Sequence, residues 1–301
     1  AGANYKYAKI NNYDMYFYIK SHNFDVATIE STGSASDLEN DYRIKCAYIK
    51  ISPDVIKSAT TYEDSPRGFF NILIHEVFHG IGIAQGKFGN WINPDTGRPY
   101  NSGTVIPWHY CTFPNISREF AFVSTKQIRE FIKERYGDDD FGLDVNGSIC
   151  KTGIELEDDG GEGSMWKHPE SRVFPGEIMS ANHQDGETRY ISELTMVLLE
   201  STGWYQVNKS MAEPIVFGTA ATNDGQKINK FMVGPPQTTW PDRYQCFPER
   251  FNYPKTVLGF GTCYPDLLST AKCDLLSHSC PSGVSDVCNN LEFVDPRRRG
   301  V

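Results

Sequence analysis

Apolar positions in this chain of 301 residues fall into short patterned stretches separated by turn-rich ones. Asp14 to Lys20, rich in aromatic and β-branched residues, predicts a strand. Arg43 to Ser52 predicts a second, with Ile44, Cys46 and Tyr48 on one face and Ala47, Ile49 and Ile51 on the other; Pro53 ends it. Thr32 to Ser36 is small and polar and reads as a loop. The stretch from Ile72 to Ile83 is apolar nearly all round, which predicts a buried helix packed on the strands. Ser65 is its expected N-cap, Pro66 its first helical position, and Gly82 to Gly86 its stop.

Gly86 to Val123 carries turn signals such as Asn93-Pro94-Asp95-Thr96-Gly97 and reads as a long irregular segment. It is either a rim over a site or a surface loop pinned by aromatics, and it contains Trp91, Trp108 and His109. Ser124-Thr125-Lys126-Gln127 opens a helix whose apolar stripe is Ile128, Phe131, Ile132 and Tyr136, closed by Gly137. Glu193 to Glu200 predicts a short helix, capped by Ser192 and stopped by Gly203. The acidic runs Asp138 to Asp140 and Glu155 to Glu162 lack the ligand spacing of a calcium loop and read as solvated surface.

Charge and cysteine change this picture in two ways. A net charge of −9, with no basic face to offset it, disfavours a nucleic-acid partner. The eight cysteines, five of them between Cys246 and Cys288, form no C-x-x-C repeat and read as disulfides in an oxidising compartment. Sequons at Asn115, Asn146 and Asn208 agree with that compartment. The expected location is therefore secreted or on the cell surface. No apolar run is long enough for a transmembrane segment, and a surface anchor on a longer precursor stays open. After Asn208 the composition turns to Pro, Gly, Thr and Cys, which suggests a cysteine-rich C-terminal module.

The chemistry lies in His75-Glu76-Val77-Phe78-His79. Two histidines four apart lie one turn above the other on a helix, close enough for both imidazoles to reach one zinc ion. Glu76 flanks them as a general base for water. A catalytic zinc needs a third protein ligand. Gly82 follows at the spacing of the extended metzincin pattern, but the next slot holds Gln85. His168 is the favoured third ligand, with His109 and His183 as rivals and Met165 as a competitor for the slot. Eleven residues after His168 stands Met179, in Glu177-Ile178-Met179-Ser180-Ala181.

Together these segments resemble the leishmanolysin family, metzincin peptidases with a large insertion between the second and third ligands. The likeness covers about Ile72 to Asn208. It rests on the His75 to Gly82 helix, Gly160-Gly161-Glu162-Gly163-Ser164, His168, and Glu177-Ile178-Met179. It implies an α+β metzincin-like zinc protease, with a mixed sheet and active-site helix, an irregular C-terminal subdomain and a cysteine-rich tail. The expected divisions are 1–86, 87–207 and 208–301. It further implies a zinc endopeptidase acting on protein or peptide substrates: His75, His79 and His168 bind Zn2+, Glu76 is the general base, and Met179 is the structural methionine of the Met-turn. The alternative is a catalytically inactive surface or scaffold protein of the same fold, against which an intact Glu76 argues.

Overall fold

The computed structural model describes residues 15–22, 29–35, 42–61, 65–101, 103, 105–114, 116, 119–158, 164–181, 189–219, 227–234, 239–240, 261–263, 270–273 and 291–294. The chain forms two compact units, Ala1–Ile83 and Ala84–Val301. Both mix helix and sheet.

In the first unit, strands β1 (Tyr16–Ser21), β2 (Ile29–Ala35) and β3 (Ile44–Ile51) are followed by helices α1 (Pro53–Thr61) and α2 (Ser65–Gly80). The sheet order is β1-β3-β2, with β1 parallel and β2 antiparallel to the central β3. The expected alternation in β3 holds for Ala47, Ile49 and Ile51, which are all buried. Ile44 departs from it. The β2–β3 register shifts between Ser34 and Ala35, skipping Lys45, and Ile44 is buried too. Ile49 and Ile51 pack with Phe17, Val55, Phe69, Ile72, Leu73 and Val77, so the core lies between the sheet and the two helices.

The structure departs from the expectations at three places here. The Thr32 to Ser36 loop is instead strand through Ala35, since β3 supplies a partner along its whole length. Helix α1 was not anticipated. Its start is nevertheless written in Ser52-Pro53-Asp54, where the buried Ser52 hydroxyl accepts from the Asp54 amide at 3.2 Å. Helix α2 includes Ser65 rather than beginning after it, and most of its residues are half-buried rather than fully enclosed.

The second unit begins with a short hairpin, β4 (Ile92–Asn93) and β5 (Arg98–Pro99), around the anticipated turn. The supposedly irregular segment also contains strands β6 (Trp108–Thr112) and β7 (Glu119–Val123). Helix α3 (Lys126–Tyr136) has Thr125 as N-cap and Gly137 as its left-handed stop. Strands β8 (Asp140–Leu143), β9 (Ile149–Lys151) and β10 (Ile154–Leu156) follow, then α4 (Glu193–Ser201), capped by Ser192 as the sequence indicated. An antiparallel sheet runs β10-β7-β6, and a disulfide joins Cys111 on β6 to Cys150 on β9.

The acidic run at 155–162 is not solvated at its start: Glu155 and Glu157 are buried. Glu155 accepts from Arg172 at 2.5 Å, a buried ion pair that offsets part of the cost of enclosing the charge. Further along, Phe231 stacks on Tyr136 with centroids 5.5 Å apart and on Trp240 at 4.8 Å. Strands β11 (Gly261–Cys263), β12 (Thr270–Cys273) and β13 (Leu291–Val294) form an antiparallel sheet in that order. Cys246, Cys280 and Cys288 lie outside the described residues. Among the described residues, Cys46 is a free thiol, and no helix is long and apolar enough to cross a membrane.

Candidate metal centre

Helix α2 presents His75 and His79 one turn apart, with ring centroids 4.6 Å apart and planes at 89°. Glu76, between them in sequence, is 8% exposed. The end of the helix fixes one of these rings. The Ile83 amide donates to the Phe78 carbonyl at 3.1 Å, and the Gly82 amide donates to the His79 carbonyl at 3.1 Å. This paired closure is a Schellman stop with Gly82 at the left-handed position, φ 126°. Gly80 is needed for a different reason: a Cβ there would come within 2.8 Å of the Phe17 ring and 3.1 Å of the Ala47 side chain. The reversal brings the Ile83 carbonyl to 2.6 Å from His79 Nδ1. A carbonyl can only accept, so Nδ1 carries the proton and Nε2 keeps its lone pair for a cation.

His168 is set up in the same way in the second unit. It is 6% exposed and follows a tight turn beyond β10. The Glu157 amide donates to the His168 carbonyl at 2.9 Å, and the Glu170 amide donates to the Glu155 carbonyl at 2.9 Å. These bonds carry the antiparallel pairing of β10 onward with the segment that holds His168. Its Nδ1 lies 2.9 Å from the Ser164 carbonyl, which again leaves Nε2 as the acceptor nitrogen. Met165, the competitor in sequence, lies in the turn itself and is half-buried.

Met179 is completely buried in a turn that is tied on several sides. Arg189 Nη1 donates to the carbonyls of Glu177, Ile178 and Ser180 at 3.2, 3.4 and 2.7 Å. The Ser180 hydroxyl donates to the Phe174 carbonyl at 2.7 Å. The Glu177 carboxyl accepts from the hydroxyls of Ser192 and Thr195, joining the turn to the N-terminus of α4. Burial pushes the Glu177 carboxyl up, and the Ser192 and Thr195 hydrogen bonds pull it back. Sequence reasoning singled out Met179 but missed Arg189 and the Glu177 anchor. The available signal was a glutamate fifteen residues before a helix-capping serine, which is too generic to read.

The rival histidines fare differently. His109 on β6 has Nε2 at 3.0 Å from the Lys151 carbonyl, and burial lowers its pKa. Its neighbours Cys111 and Cys150 are joined in a disulfide, so neither offers a thiolate to a metal. His183 lies outside the described residues. Elsewhere in the second unit, Glu157, Asp158 and Glu170 bring carboxylate oxygens within 4.8 Å of one another. That is an all-oxygen set, different in kind from imidazoles.

A family profile described as leishmanolysin matches residues 4–283. The chain belongs to the leishmanolysin peptidase family. It is 27% identical over 176 residues to a leishmanolysin-like peptidase of Drosophila melanogaster, covering 54% of this chain and 26% of that protein. A leishmanolysin-like peptidase of Caenorhabditis elegans is 27% identical over 169 residues, covering 48% of this chain and 24% of its own length. The ciliated left-right organizer metallopeptidase of Danio rerio is 26% identical over 219 residues, covering 70% of this chain and 32% of that protein. The chain thus spans no more than about a third of the length of these relatives. Family membership implies a metzincin-like zinc-protease fold and a metal cofactor that is typically zinc. The mixture of helix and sheet described above agrees with that fold.

Proposed function

We propose that this chain carries the catalytic machinery of a zinc-dependent endopeptidase, with His75, His79 and His168 as zinc ligands and Glu76 as general base. The observation that carries the reading is the repeated tautomer: His79 gives its Nδ1 proton to Ile83 and His168 gives its own to Ser164. Two imidazoles committed in this way suit a borderline-soft divalent cation that takes nitrogen donors. Bound zinc would supply Lewis acidity, acidifying water and polarising a peptide carbonyl.

The remaining work falls to the chain's own groups. Glu76 is buried on the same helix as His75 and His79, largely out of contact with bulk solvent. It takes the proton of the attacking water and delivers it to the leaving amine, so one carboxylate serves as base and then acid. The structural methionine of this reading is Met179, buried in a turn that the Arg189 and Glu177 bonds hold still. We further propose that the protein works outside the cytosol, a reading supported by the Cys111–Cys150 disulfide.

The test is casein hydrolysis with and without a chelator, on wild type and Glu76→Gln. Chelator-sensitive cleavage by wild type, and its loss in a variant that still holds zinc, supports the peptidase. Full activity in Glu76→Gln contradicts the assigned base. Absence of chelator-sensitive cleavage in wild type favours a non-catalytic protein of the same fold.

A further inference from the structure

Trp166 stands in the left-handed region at φ 60°, a conformation that residues other than glycine adopt only under strain. The turn around it enforces this. The Trp166 amide donates to the Glu157 carbonyl at 2.7 Å, and the Lys167 amide donates to the Ser164 carbonyl at 3.2 Å. The Ser164 carbonyl also receives His168 Nδ1–H, so one turn sets both the tryptophan and the candidate ligand two residues later. Glycine or asparagine would sit there with less strain. A tryptophan at this place puts a large rigid ring where the chain would prefer none.

That ring continues a row of aromatic side chains. It meets Tyr110 edge to face at 5.6 Å, and Tyr110 meets Trp108 in the same manner at 4.8 Å. Trp108 and Tyr110 alternate along β6 and so share one face. β6 is the terminal strand of its sheet. Gln85 hydrogen-bonds the Tyr110 side chain and steadies that ring. Unlike the core rings of Phe120 and Phe122, which are buried, Tyr110 is 40% exposed, and Trp108 and Trp166 are half-buried.

We propose that Trp166 and Tyr110, backed by Trp108, form a substrate shelf that takes a bulky apolar side chain of the peptide near the bond being cut. The inference rests on the peptidase reading. Rigid aromatic rings with part of their surface in water gain most by covering apolar area, and tryptophan and tyrosine dominate such contacts. Nucleic-acid bases would also stack, but a net charge of −9 opposes their phosphates. The same turn that orients His168 sets the shelf, which couples choice of side chain to the candidate metal ligand.

The experiment compares two peptides that differ only in carrying Phe or Ala beside the scissile bond. Wild type should cleave the Phe peptide with a kcat/KM roughly tenfold or more higher, the range a hydrophobic pocket supplies. Trp166→Gly removes the ring and relieves the backbone, so the turn itself should survive. It should lose the preference through a fall in kcat/KM for the Phe peptide and keep its zinc; Trp166→Phe should retain most of the preference. In parallel, Glu76→Gln should bind the uncleaved Phe peptide with a change in tryptophan fluorescence, and Glu76→Gln/Trp166→Gly should bind it about tenfold more weakly. An unaltered preference in Trp166→Gly, or loss of its zinc, overturns the shelf while leaving the peptidase intact. If wild type cleaves neither peptide yet binding still depends on Trp166, the shelf stands and the peptidase reading falls.

Discussion

His79 donates its Nδ1 proton to the carbonyl of Ile83, 2.6 Å away and four residues further along. That bond exists because α2 stops where it does. Gly82, at φ 126°, turns the chain so that the Ile83 carbonyl faces back toward the imidazole. Gly82→Ala should therefore act on both folding and metal affinity. The expected loss is about 1–3 kcal/mol of stability from a side chain forced into this region. Zinc affinity should fall by about 10–100-fold, as it does when a ligand's outer partner is disturbed. Chemical denaturation and competition with a zinc chelator measure the two effects separately.

Arg172 and Glu155 form a buried pair at 2.5 Å, and Arg172 also donates to the Met232 carbonyl from both terminal nitrogens at 3.2 Å. Arg172→Met should cost about 3–5 kcal/mol, because Glu155 keeps its burial without its counter-charge. Adding Glu155→Gln should recover a large share of that loss. Urea unfolding of the two single variants and the double variant gives the coupling directly.

Asp138 gives a pH dependence with a definite sign. Burial raises its carboxyl from the usual range to about 6, with Lys227 and Lys230 opposing and Asp139 and Asp140 reinforcing the rise. The folded state therefore holds this proton at pH values where the unfolded chain has already released it. Its contribution to stability is greatest near pH 4 and is lost as pH rises to about 6. Asp138→Asn mimics the protonated form at every pH. Its melting temperature should exceed that of wild type at pH 7.5, with the gain disappearing near pH 4. Thermal unfolding at those two pH values checks this, and an equal gain at both would contradict it.

The legible parts of the molecule are those encoded locally. The His-Glu-x-x-His spacing on α2, the N-cap of α3 within one residue of Ser124, the capping of α4 by Ser192, and the Gly137 stop each depend on a few adjacent residues. The two faces of β3 were legible for the same reason, up to the irregularity at Lys45 that re-aims Ile44. What escaped depends on distant partners. Ile29–Ala35 is strand because β3 lies beside it, although its Ser, Thr and Gly residues suggest a loop. Glu119–Val123 is a short apolar run of five residues, and pairing on both sides by β6 and β10 makes it a central strand. Glu155 looked solvated because Arg172, seventeen residues on, could not be assigned to it by spacing. In the candidate site, the histidines and Glu76 stand out as residue types in the sequence, whereas the tautomers of His79 and His168 do not. Those rest on the Ile83 and Ser164 carbonyls, and a backbone carbonyl leaves no mark in sequence.

The most direct measurement is X-ray absorption at the zinc edge on the zinc-loaded protein, compared with its His168→Ala variant. Wild type should show three imidazole nitrogens at about 2.0–2.1 Å with one oxygen donor. The variant should show two imidazoles and a weaker hold on the metal. A wild-type spectrum with only two imidazoles, or one that His168→Ala leaves unchanged, would contradict the assignment of His168 as the third ligand.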